Sequence, residues 1–305
     1  MQGLINVYKP QDFTSHDCVA IIRRVTGIKK TGHTGTLDPM ATGVLPVCVG
    51  KATRIIEYLD NDIKEYRCTM QLGLTSDTQD IWGDVAKAGS AADISREDII
   101  RTLKGFEGDI MQTPPKYSAI KVNGRKLYEY ARAGKDVEIK PRKVTIRSIS
   151  DIRTEGNLVS FTVSCHKGTY IRSICDDAGK ILGCGAVMTD LERSANGIFR
   201  VESATDIRDI KEMTKDDVSR LVLPMEDAIG FKRVSVDKSK ARDLINGKKI
   251  SLENSLEISS EDYDKIFQES SKNRISVFSE DIFIGVCRLE DDLITPDKIL
   301  NTELR

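Results

Sequence analysis

Strand-like and helix-like stretches follow one another here without the strand–helix–strand rhythm of a parallel sheet. That irregular order constrains the fold more than any other feature. The segment 64-KEYRCTMQLG-73 alternates with a period of two, placing Tyr66, Cys68 and Met70 on one face of a strand. LVSFTVSC (158–165) reads as a second strand, and LINVYKP as a short one closed by proline. Helices interrupt them with their own punctuation. In 14-TSHDCVAIIRRVTG-27, Ser15 is the expected N-cap, Asp17 lies in the first turn, and Gly27 is the stop. In 95-SREDIIRTLKG-105, Ser95 with Asp98 opens a helix and a glycine ends it. Shorter helices are expected over ATRIIEYL, around KLYEYARAG and over SICDDAGKILG. The fold class is therefore α+β. A length of 305 residues suits about two domains. With a junction around 221-LVLPMEDAIG-230, residues 1–230 are assigned to one domain and the β-rich 231–305 to another.

Seven cysteines, an odd number without any C-x-x-C, suit reduced thiols in a cytoplasm. No apolar run is long enough to cross a bilayer, and MQGLINVYKP lacks the order of a signal peptide. The net charge of −1 hides a local arrangement. Residues 113–153 carry eleven Lys/Arg against four Asp/Glu, and 232–249 seven against two, whereas 250–305 hold six against thirteen. Such patches fit either a solvated surface or a grip on a polyanion.

The familiar sites fail. For a phosphate loop ending at Gly50-Lys51, the first glycine would fall at Leu45, and Ala52 replaces the hydroxyl. His16, His33 and His166 show no metal-ligand spacing, and no cysteine sits in an activating context. The acids of SDTQDIWGD (76–84) lack the calcium-loop order and read as a solvated turn. No metal or cofactor is expected.

What remains is 32-GHTGTLDPMATGVLPVCVGKATR-54, a Gly/Thr/Pro-dense stretch whose one acid is Asp38. Composition alone makes Asp38 a turn residue. Its first sixteen residues, however, resemble the signature loop of the TruB family of bacterial tRNA pseudouridine synthases, which act on uridine 55. INVYKP…FTSHD, KEYRCTMQLG, TSDTQD, PPKYSAIKVNGRKLYEYAR, SCHKGTYIRSICDDAG and LERSANGIF follow in the family's order, covering residues 1 to about 200. The resemblance implies a catalytic domain around a mixed, mostly antiparallel sheet, with a small PUA-like domain after it. It implies conversion of a uridine in the tRNA T stem-loop to pseudouridine, by a monomer without cofactor. Asp38 matches the catalytic aspartate, Tyr66 the tyrosine that stacks on the target base, and Arg172 the arginine paired with the aspartate. Tyr170 and Leu191 match pocket positions, His33 the loop histidine near the flipped nucleotide, and Lys9 a lysine supporting the site. Segment 113–143 resembles an RNA-gripping insertion, so Lys121, Arg125, Lys126, Arg142 and Lys143 are expected to bind RNA. One departure is KPQDFTS, with Asp12 where many members have glycine; aspartate tolerates the positive φ such a turn needs.

The chemistry suits these residues. A glycosidase typically uses two carboxylates, one to protonate the leaving oxygen and one to attack or activate water. A leaving uracil delocalises its own charge, and an activated water would leave an abasic sugar. A single carboxylate in a dry pocket therefore fits isomerisation better, with a guanidinium holding it charged. If GTYIR is extended, Tyr170 and Arg172 share a face. Tyr66 reads as a half-buried strand aromatic or as a stacking platform, Leu191 as core or pocket wall, and His33 as a loop hydrogen-bonder or a space-filler by the flipped nucleotide. The sequence does not choose between attack at C1′, attack at C6 and removal of the 2′ proton. The target base must be flipped out of the folded RNA. A non-catalytic RNA-binding module and a guide-RNA-dependent relative are the competing functions.

Overall fold

The computed structural model describes residues 1–59, 63–118, 120–122, 124–252, 273–290 and 292–304. Its main sheet runs in the order Thr205–Asp206, Gly3–Lys9, Thr42–Val49, Ala186–Asn196, Lys64–Leu72, Leu158–Cys165, Arg142–Glu155 and Gly108–Gln112. Antiparallel pairing prevails, with parallel pairs between Glu192–Arg193 and Thr42–Gly43 and between Val7–Tyr8 and Thr205–Asp206. The strand read from the period-two pattern, Lys64–Leu72, lies inside the sheet and buries Tyr66, Cys68, Met70 and Leu72 on one face. Its register aligns Gly43, Arg193, Tyr66 and Val163 in a row across four strands. Gly43 takes φ 104°, and a Cβ there would meet the Arg193 backbone carbonyl at 2.3 Å, so only glycine lets the two strands close.

Helix Ile171–Leu182 follows the 166–170 turn and lays Ile171, Ile174, Cys175 and Ala178 onto the core face that holds Tyr66 and Met70. Each large apolar side chain buried there stabilises the fold by about 1.5–3 kcal/mol. The helix starts at Ile171, not after an extended GTYIR, and its N-cap Tyr170 makes no side-chain cap bond. Tyr170 and Arg172 therefore do not share the face of a strand. Helix Ser15–Thr26 is capped by Thr14 and not by Ser15: Asp17 N–H donates to Thr14 Oγ1, and Thr14 N–H donates to Asp17 Oδ2. Gly27 ends that helix at φ 72°, and Ser95 caps Arg96–Lys104, both as expected. Helices Ile56–Leu59 and Leu127–Arg132 also fall where the sequence places them.

Contacts divide the chain into two compact units. One is Ile5–Val47 with Leu59–Leu221. The other is Met1–Leu4, Cys48–Tyr58 and Val222–Arg305. The second has its own sheet, ordered Lys232–Ser235, Arg274–Ser279, Ile282–Glu290, Leu293–Ile299 and Ile250–Ser251, and a core around Val234, Leu244, Val277 and Ile294. All seven cysteines are buried and unpaired. Among the described residues, no helix is long and apolar enough to cross a membrane.

Candidate active site

Asp38 sits on a turn in which Ala41 N–H donates to its backbone carbonyl. The loop is fixed from below by three groups. Ser15 Oγ accepts from Leu37 N–H at 2.9 Å and donates to Leu37 carbonyl at 3.1 Å, because Thr14 has taken over the helix cap. Lys9, wholly buried, donates to the carbonyls of Pro10, Phe13 and Pro39. Burial pulls its ammonium down to about 8, partly offset by the nearby Cys18, Asp38 and Asp12. Asp12, at φ 68°, donates its N–H to Pro39 carbonyl, so the turn expected of glycine is kept by aspartate. On the far side, buried Arg193 donates to Val44 carbonyl at 2.7 Å and to Gly35 carbonyl at 3.1 Å.

Arg172 faces this loop from the first turn of its helix. Its Nη2 lies 3.0 Å from Asp38 Oδ2 and donates to Tyr117 carbonyl, while Nη1 donates to Thr78 carbonyl and Asp80 Oδ2 at 3.1 and 3.2 Å. The guanidinium side chain is only 6% exposed, and Asp80 13%. Segment 76–84 is a turn with Asp77 and Asp84 exposed, as its local sequence suggests, except at Asp80, which is half of the arginine's counter-charge. Asp80 Oδ1 also accepts from Thr78 Oγ1 and from Trp82 N–H. Gln79 bridges Ser173 and Asp176 of the arginine's helix. Two acids collect beside a helix N-terminus whose dipole favours negative charge and opposes Arg172. The arginine is therefore held by its partners and not by its helix.

Asp38, Tyr66, Tyr170 and Arg172 all line one cavity of about 1090 Å³. Tyr66 is buried, and burial raises its hydroxyl above the ordinary tyrosine range. Tyr170 is shifted the same way by burial, and its backbone exchanges two hydrogen bonds with the buried Gln112 amide. Asp38, in contrast, keeps 45% of its side chain exposed. The water-poor pocket expected for it is not what the protein alone presents. Lys9, His33 and Leu191 are not among the lining residues, and Leu191 belongs to the core cluster that also holds Leu37, Ala41 and Tyr66. His33 Nδ1 accepts from Gly35 N–H, its ring stands edge-on to His16 at 5.9 Å, and burial lowers it to about 4.

The basic segment forms a small hairpin, Lys121–Val122 with Arg125–Lys126, followed by helix Leu127–Arg132. The register sets Lys121 opposite Lys126, a like-charge pairing that costs stability unless an anion lies over it. Arg125 stacks over Tyr130 and Lys126 over Tyr128 at 5.8 and 5.4 Å. Tyr128 and Arg132 reach the cavity lining. Arg142 opens the exposed end of its strand, whereas Lys143 is ion-paired with Asp109 at 2.8 Å. Sequence reasoning missed Ser15, Asp80, Gln112 and Arg193 as supports of the site.

Residues 23–171 match the model of the TruB family pseudouridylate synthase N-terminal domain, and residues 172–230 that of the tRNA pseudouridylate synthase B C-terminal domain. The chain belongs to the TruB family. It is 44% identical to tRNA pseudouridine synthase B of Clostridium tetani, over 94% of this chain and 95% of that protein. It is 41% identical to the protein of the same name from Clostridium perfringens (strain ATCC 13124), over 99% and 100%. Among solved structures it is similar to a chain of a Cbf5–Nop10–Gar1 complex, with TM-score 0.73 and 26% identity over 98% of this chain and 85% of that one. The TruB-family chain is an RNA pseudouridine synthase of α+β fold, with a mixed, mostly antiparallel sheet and a small β-rich, PUA-like C-terminal part.

Proposed function

We propose that this chain converts uridine 55 in the T arm of tRNA to pseudouridine, with Asp38 as the reacting carboxylate. The carrying observation is the Asp38–Arg172 pair at 3.0 Å inside a cavity that Tyr66 also lines. The N1–C1′ bond breaks, the uracil turns, C5 bonds to C1′, the C5 proton leaves and N1 regains one. No water, metal or redox partner enters the balance. A flipped uridine covers the exposed part of Asp38 and dries it, and Arg172 then holds the carboxylate charged. Tyr66 offers its ring as the platform for the base; a hydroxyl pushed upward by burial stays protonated and is ill placed to begin as a base. Tyr170 narrows the slot, Leu191 backs it, and Lys9 and His33 hold the loop. Lys121, Arg125, Lys126 and Arg142 grip phosphates, so recognition follows the shape of the T stem-loop.

A stand-alone enzyme acting in a reducing cytoplasm is supported by seven buried thiols free of disulfides and by 41–44% identity to proteins named tRNA pseudouridine synthase B. The likeness to a chain solved within a Cbf5–Nop10–Gar1 complex favours the competing reading of an enzyme that works inside a larger particle, at a lower identity of 26%. Purified protein acting on bare T-arm RNA separates the two. The decisive variant is Asp38→Asn, which abolishes tritium release from 5-tritiated uridine in tRNA while RNA binding stays within a few-fold. Retained turnover sinks the proposal, and so does failure of the wild type to form pseudouridine at position 55.

A further inference from the structure

Trp82 is the chain's one tryptophan, and it lines the same cavity as Asp38 and Arg172 with 38% of its surface exposed. Its exposed face leaves apolar ring area in water that a planar partner would cover. The loop beneath it is not loose. Trp82 N–H donates to Asp80 Oδ1, Ile81 N–H to Met188 carbonyl at 2.8 Å, and Asp84 N–H to Asp77 Oδ1 at 2.8 Å. A Cβ on Gly83 would lie within 2.6 Å of Thr78 Oγ1, Asp77 Oδ1 and Ser76 Oγ, so the turn is tightly closed. The backbone that carries the ring is thereby held at a fixed place relative to Arg172, through the carboxylate they share. The cavity, about 1090 Å³, exceeds what one base needs, since pockets of roughly 300–1,000 Å³ already hold drug-sized ligands. Tyr66 is the platform for the reacting base, which leaves room and a second aromatic face unassigned.

We infer that Trp82 stacks on an unpaired nucleobase adjacent to the flipped uridine and so fixes the register of the RNA in the cavity. This rests on the proposed tRNA reading and adds a second nucleotide to the site. Unpaired RNA bases are recognised by stacking on aromatic rings, which every base permits. Trp82 is a positioning residue that touches the RNA but not the reacting atoms.

Because the chain has one tryptophan, its emission reports this ring alone. Titrating wild-type protein with a T-arm hairpin should quench that emission. A hairpin made abasic at one of the two neighbours of the target uridine should not quench it, yet should still be turned over at high RNA concentration. Trp82→Ala should raise KM about 5- to 150-fold, with kcat within a few-fold, and Trp82→Phe should recover most of the loss. Unchanged emission, or Trp82→Ala with wild-type KM, in a protein that still makes pseudouridine overturns the inference and leaves the function standing. A wild type that makes no pseudouridine removes the function and this inference together.

Discussion

Replacing Asp80 with asparagine tests whether Arg172 is held by charge or by shape. The guanidinium makes four contacts, to Asp38, Asp80, Thr78 carbonyl and Tyr117 carbonyl, and is almost closed to water. Asparagine removes the charge and keeps one oxygen, enough for Nη1 on the Oδ2 side or for Trp82 N–H on the Oδ1 side but not for both. A hydrogen bond to a charged group contributes about 1.5–3 kcal/mol and a neutral one about 0.5–1.5, so the variant should unfold roughly 1–1.5 kcal/mol more easily. If Arg172's alignment on Asp38 carries the reaction, the same loss appears in kcat as a fall of about 5- to 13-fold, with KM nearly constant. Asp80→Ala removes the acceptor as well and leaves the buried guanidinium with only the half-exposed Asp38 as counter-charge, which should cost more than the asparagine variant and up to about 3–5 kcal/mol. Urea unfolding and tritium release from 5-tritiated tRNA read the two quantities. Wild-type kcat in Asp80→Asn, or an alanine variant no worse than the asparagine one, would refute the reasoning.

Two further outcomes are expected. His33 is held near 4 against an ordinary 6.5, first by burial and then by His16 and Arg193. Between those values the unfolded chain binds a proton that the folded chain refuses, so stability falls as pH drops from 6.5 to 4. Allowing for its partial exposure, the loss is roughly 2 kcal/mol, and His33→Asn should flatten that gradient in urea titrations; parallel curves would show that the proton is not refused there. Changing Lys121, Arg125 and Lys126 to glutamine should weaken RNA binding and reduce the salt slope by about 2 to 3. An unaltered slope would place the RNA elsewhere.

Local pattern carried some of this site and long-range bonding carried the rest. Tyr66 was legible because a period of two puts it on the buried face with Cys68 and Met70. The Asp38 loop is legible only through its likeness to the TruB signature loop, since composition alone makes Asp38 a turn residue. The resemblance pairs Arg172 with Asp38, and the two lie 3.0 Å apart, but the condition that GTYIR be extended fails, because the helix opens at Tyr170 without a capping side chain to announce it. Asp80 looked solvated because its partner lies 92 residues away, and no spacing within 76–84 encodes that. The same holds for Arg193, which bonds Val44 across 149 residues, and for Ser15, whose role passed to Leu37 once Thr14 took the cap.

The division of exposure within the ion pair explains how the site can be open and still prepared. Arg172 is dry and its donors are committed, while Asp38 remains 45% exposed. Desolvation of the guanidinium is therefore settled during folding, with Asp80 and two carbonyls offsetting it. When RNA covers Asp38, only the carboxylate loses water, and the charge that must compensate it is already in place. A loop pinned by Ser15, Lys9, Asp12 and Arg193 has little freedom left to move in response. Such an arrangement stabilises developing charge without rearranging at the moment of reaction, which is where fixed dipoles and ions contribute most. On the proposed reading, the second acid serves the one-carboxylate chemistry: Asp80 keeps the guanidinium paired, buried and aimed, leaving Asp38 as the carboxylate open to the substrate.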